Sequence, residues 1–270
     1  MGPGPRWRDK WDGVWPHLKV LIFGTSAFEN VNPPPGAGLR QLICLNRGNS
    51  LLHLLFIGIS FDSGDEIRDI FGNDHDTLPG SDVIRHSDFR NLRSVRSHRD
   101  MWILPDRARI LLSNSIENRQ LTSFDIVFPE RDIRELYSGD LSVRHLKGYD
   151  WLRGAPSIHT LGCYGFRFRL DLRNDDDLPL PQFLATFPNL RTLKLDGQYY
   201  GEYENDFASV ILAIMSVTRL KTIYTTFFQH ESYALGRVRD AAQFKGVQIL
   251  IPDPVEAARC PEQWPMPLEP

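Results

Sequence analysis

The sequence predicts an α/β solenoid, a short horseshoe with parallel strands on its concave side and helices on its convex side. Three observations predict it. A seven-residue phrase recurs along the chain. Its apolar positions have the spacing of a short strand, and an amphipathic helix follows the clearest copies.

The elements follow in chain order. Trp15-Pro16-His17-Leu18-Lys19-Val20-Leu21 is the first copy of the phrase, and Gly38 to Leu45 and Ser50 to Ile57 are degenerate ones. Residues 62–88 form an acidic loop insertion. Phe89 to Val95 is the next full copy, and Pro105 then opens a helix carrying Ala108, Leu111 and Leu112, since a first turn tolerates proline. Further copies run Asn118 to Phe124, Ala155 to Leu161, Phe187 to Leu193 and Val217 to Ile223. Their anchors, Leu92, Leu121, Ile158, Leu190 and Leu220, stand 29, 37, 32 and 30 residues apart. Pro181, with Phe183, Leu184 and Phe187 after it, marks a short helix. In the clearest unit Leu190, Leu193 and Leu195 spell L-x-x-L-x-L, which ends in the alternation of a strand. Asp206 is placed to cap a helix whose apolar set, Phe207, Val210, Ile211, Ile214 and Met215, lies on one face. Glu231 to Phe244 reads as a last helix and Val247 to Ile251 as a last strand. The expected organisation is a capping segment 1–14, in which Trp7, Trp11 and Trp15 cover the end of the stack. A repeat domain 15–251 and a Pro-rich tail 252–270 follow.

FPNLRTLKL, APSIHTLGC and VTRLKTIYT, in irregular units of about 30 residues, resemble the repeat region of fungal F-box/leucine-rich-repeat proteins. The resemblance covers roughly residues 15–251. It implies a module that captures a substrate protein for a cullin-type ubiquitin ligase. The family's F-box, which docks on the ligase adaptor, has no counterpart here: 14 residues precede the first copy and no LPxEI-like start occurs.

Composition bounds the function. The 270 residues carry 31 basic and 34 acidic side chains, a formal charge of −3, and 41% hydrophobic residues. That is enough apolar material for a core, and too even a balance for nucleic-acid binding through bulk charge. Cys44, Cys163 and Cys260 have neither disulfide-framework nor zinc spacing. The N-terminus lacks a signal-peptide pattern, and the longest apolar stretch, Leu51 to Ile59, is too short to span a bilayer. A cytoplasmic or nuclear protein with no membrane partner is expected.

In an L-x-x-L-x-L unit the apolar positions enter the core and the residues between them point out of the sheet. That rule selects Ser94, Arg96 and His98, then Ser123 and Asp125, Thr160 and Tyr164, Thr192, Lys194 and Asp196, and Thr222, Tyr224 and Thr226. Tyr199 and Tyr200 join them on a loop that also holds Tyr203. A mixed polar and aromatic face suits a protein partner.

Catalytic and cofactor signals are weak. The 62–82 carboxylates lack the order of a calcium loop and read as a solvated segment rather than a metal site. His98-Arg99-Asp100 spells a kinase triplet without the rest of the kinase pattern, and no nucleophile elbow, phosphate loop or HExxH occurs. The expectation is a non-enzymatic protein-interaction module with no cofactor. The alternative is an enzyme on a compact α/β domain with a site built from acidic residues and histidine.

Overall fold

The computed structural model of the chain describes residues 19–24, 52–57, 91–97, 105–128, 139–166, 179–196, 204–225 and 232–251. Several expectations fall outside these: the 1–14 segment, Trp7, Trp11 and Trp15, the copy Gly38 to Leu45, the 62–88 loop, His98, Tyr199, Tyr200, Tyr203, Thr226 and the 252–270 tail. The side chains of Arg96 and Asp196 fall outside them too. Two compact units divide the chain, Met1–Leu121 and Thr122–Pro270.

The first unit contains β1 (Val20–Gly24), β2 (His53–Ile57), β3 (Ser94–Ser97) and α1 (Pro105–Glu117). The three strands pair in parallel, with Val20 opposite His53 and His53 opposite Ser94. Helix α1 starts at the expected proline and buries Ala108 and Leu112. Two residues past its end, Arg119 is a non-glycine residue in the left-handed region at φ 55°. After it the amides of Gln120 and Leu121 both return to the Ser115 carbonyl.

The second unit alternates strand and helix. It runs β4 (Ser123–Val127), α2 (Gly139–Gly148), a 3-10 turn at Asp150–Leu152, β5 (Thr160–Tyr164), α3 (Pro179–Ala185), β6 (Thr192–Asp196), α4 (Glu204–Val217), β7 (Thr222–Thr225), α5 (Tyr233–Lys245) and β8 (Gln248–Leu250). Each strand pairs in parallel with the next. Parallel neighbours need a crossover, and here helices supply it. Consecutive helices also pack on one another, so they form a layer on the sheet.

The predicted anchors are core residues. Leu92, Leu121, Ile158, Leu190 and Leu220 are each no more than 3% exposed. Three residues on, Val95, Phe124, Leu161, Leu193 and Ile223 are buried, and two further on so are Ile126, Cys163, Leu195 and Thr225. The helices bury Leu180, Phe183 and Leu184, then Phe207, Ile211 and Ile214, then Leu235 and Val238. An aromatic cluster joins β4 to α2: Phe124 lies 5.7 Å from Tyr149, and His145 lies 5.2 Å from Phe128 and 5.3 Å from Tyr149.

Local signals explain the ends. Ser232 caps α5, its hydroxyl accepting from the Leu235 amide at 3.1 Å, and Gly246 closes it in the left-handed conformation at φ 66°. One reading is corrected. Asp206 is not the cap of α4, because the helix already begins at Glu204 and Asp206 lies in its first turn. There an acidic residue still meets the positive end of the helix dipole. Pro181 lies in the first turn of α3, where a proline is tolerated, and Pro179 opens the helix. Among the described residues no helix is long and apolar enough to cross a membrane.

Candidate functional site

Every second residue of β4–β8 faces away from the 0%-exposed leucines, and parallel pairing without bulges stacks these residues into rows. The first row is Ser123, Thr160, Thr192, Thr222 and Gln248. The second is Asp125, Gly162, Lys194, Tyr224 and Leu250. A third begins with Val127, Tyr164 and Asp196. Strands about 4.8 Å apart bring neighbours in a row within side-chain reach.

Exposure changes along the rows. In β4 all five residues are buried, whereas in β7 burial alternates, with Ile223 and Thr225 buried and Thr222 and Tyr224 half-exposed. Of the residues selected by alternation, Ser94, Ser123, Asp125, Thr160 and Lys194 are buried. Tyr164, Thr192, Thr222 and Tyr224 are half-exposed. Alternation sets the direction of a side chain, not the depth at which it ends. The more exposed part of the face is therefore toward β7 and β8, where Gln248 and Leu250, which the spacing of the phrase did not reach, join it.

Gly162 shapes the middle of this face. A Cβ there would lie 2.6 Å from Tyr164 Cε2 and 2.8 Å from Asp125 Cγ, and closer still to Asp125 Oδ1. The carboxylate of Asp125 and the ring of Tyr164 thus occupy the space that a side chain on β5 would take. A glycine inside a strand marks such an approach, and this signal was present in the sequence. Across β6, the Lys194 ammonium sits 5.6 Å from the centroid of the Tyr224 ring. The ring's negative face attracts the cation, while the lysine stem lies along the sheet and is buried with it. Among the described side chains of these rows stand the carboxylate of Asp125, the ammonium of Lys194, the phenols of Tyr164 and Tyr224 and a line of hydroxyls.

In the first unit the corresponding row holds a pair that the sequence reading missed. His53 Nδ1 lies 2.8 Å from Ser94 Oγ. Burial lowers the His53 pKa, and the neighbouring Arg93 charge lowers it further. The imidazole is therefore neutral at pH 7 and serves as a hydrogen-bonding partner rather than a cation. On the opposite side of the β5 strand, the Cys163 thiol is fully buried and its pKa is pushed up by burial and then by the charge of Asp125. It stays a thiol and packs as a small apolar group.

No protein-family model matches this chain, and no curated protein matches it in sequence.

Proposed function

We propose that the chain is a leucine-rich-repeat solenoid that acts without catalysis, binding a protein partner on the sheet face of β4–β8. The observation that carries this reading is the row structure of that face. Hydroxyl and aromatic side chains stand in register on the four parallel strands β4–β7, and Gln248 and Leu250 of β8 continue the rows; toward β7 and β8 the face is half-exposed or exposed, over a core of leucines. A face of this kind works by rigid presentation. Its side chains are held by the backbone ladder before the partner arrives, so little ordering entropy is lost on binding. Tyr164 and Tyr224 are the natural anchors, because tyrosine combines a large apolar ring with a polar tip. Thr192, Thr222 and Gln248 serve main-chain groups of the partner.

Regular burial of the five anchors, 29 to 37 residues apart, supports the repeat reading. The ligase connection rests on the resemblance of the repeated phrase, and it makes the partner a substrate protein awaiting ubiquitin transfer. Affinity capture from native extract tests both parts. The wild type is expected to retain a partner that a Tyr164→Ala/Tyr224→Ala variant retains at least about tenfold less. Equal retention by a variant with unchanged circular dichroism counts against the face. A ligase adaptor among the captured proteins supports the second part. An adaptor-free complex removes that part and leaves the interaction module standing.

A further inference from the structure

The helix α5 turns an unusual surface outward. Tyr233 is 79% exposed and Phe244 is 91% exposed, the two most exposed large hydrophobic side chains among the described residues. Between them stand Arg237 and Asp240, spaced so that the four residues follow one another by four, three and four positions. That is the seam spacing of a coiled coil, on the side of the helix opposite Leu235, Val238 and Ala242, which are buried. Among the described residues neither Arg237 nor Asp240 makes an ion pair. Beside the seam stand Gly236, around which a Cβ would meet nothing within 4 Å, and Ala241.

The stripe is complementary to itself. Tyr233 and Phe244 lie equally far from the midpoint between Val238 and Arg239, and so do Arg237 and Asp240. Running a second α5 antiparallel about that midpoint sets each Arg237 against Asp240 of the other copy, and each Tyr233 against Phe244 of the other copy. A two-fold contact requires this reciprocity, and the small residues beside the seam let the backbones approach. We propose that this face is a self-association surface on which two copies of the chain pair through antiparallel α5 helices. The 13-residue helix is about 20 Å long. Such a contact is smaller than the ~800 Å² per partner of a tight complex, so the expected affinity is micromolar.

Sedimentation velocity on the full chain, from about 1 to about 200 μM, tests it. The wild type is expected to shift from monomer to dimer. Asp240→Arg sets two arginines against each other and is expected to weaken the dimer at least about tenfold, and Arg237→Asp likewise. Both changes in one chain restore the opposite charges and return the affinity to within about threefold of wild type. The double variant controls for folding, since it contains both substitutions. A monomer throughout the range overturns the proposal. A dimer indifferent to the single reversals, or one that the double variant fails to restore, also overturns it. So does a dimer that forms only after residues 252–270 are removed, which would assign the stripe to the tail.

Discussion

His145 is expected to make this protein acid-labile by an amount that can be worked out. Its imidazole is buried in the cluster with Phe128 and Tyr149. Burial lowers its pKa from 6.5 to about 4, against a hydrogen bond to the Val127 backbone that raises it. Between pH 6.5 and 4 the unfolded chain therefore binds a proton at this site that the folded chain refuses. Stability from this site is fully present above pH 6.5 and falls as the pH drops toward 4. The full difference is roughly 3 kcal/mol, and about 2 to 3 kcal/mol of it is lost by pH 4.5. Replacement by glutamine, a good helix former that does not titrate, removes the term. Urea unfolding at pH 7.5 and 4.5, followed by circular dichroism, measures it. The His145→Gln variant is expected to lose about 2 to 3 kcal/mol less than the wild type over that interval. Its stability at pH 7.5 is lower, because the hydrogen bond and ring contacts change. Because His53 also has a lowered pKa, the comparison is the difference between the two proteins and not the wild-type slope alone. Equal losses in both would show that His145 is protonated in the folded state, and the argument from burial would fail.

Two further outcomes follow from the same packing. Gly162→Ala places a Cβ against Asp125 and Tyr164, so it is expected to cost about 1 to 3 kcal/mol in urea unfolding and to weaken partner capture together with stability; unchanged stability would mean that the two side chains move aside freely. Cys163 is expected to resist a thiol-directed alkylating reagent in the folded protein and to react once urea has unfolded it, as read by intact mass.

Much of the fold is legible in the sequence because it depends on positions that burial constrains strongly. Leu92, Leu121, Ile158, Leu190 and Leu220 announce where a strand is about to begin, and the helices at Pro105, Phe207 and Ser232 carry apolar spacing or an end signal. Helix α2 was missed because its signal is thin. Leu146, Tyr149 and Leu152 are spaced by three, and beside Leu146 the helix buries His145, which reads as polar in a sequence. The candidate site was legible in direction only. Asp125 and Lys194 carry charges, which ordinarily means exposure, yet one lies over a glycine and the other along a tyrosine ring. Neither outcome follows from the alternation of a single strand, because both depend on the residue that the next strand supplies in the same row.

The backbone at the strand entrances has a further consequence, for change over evolutionary time and in the laboratory. The carbonyls of Lys19, Leu52, Thr122, His159 and Arg191 each accept from two successive amides on the following strand. The side chains of these five residues are exposed or half-exposed, so the joint between strands is made by groups that every residue other than proline possesses. Mutation can rewrite such positions while leaving the joint intact. Substitution at the joint therefore alters the repeated phrase while the backbone pairing of the strands stays in place. For an engineer the same property marks Lys19, Thr122, His159 and Arg191 as places to write new side chains at the mouth of the sheet without disturbing its register.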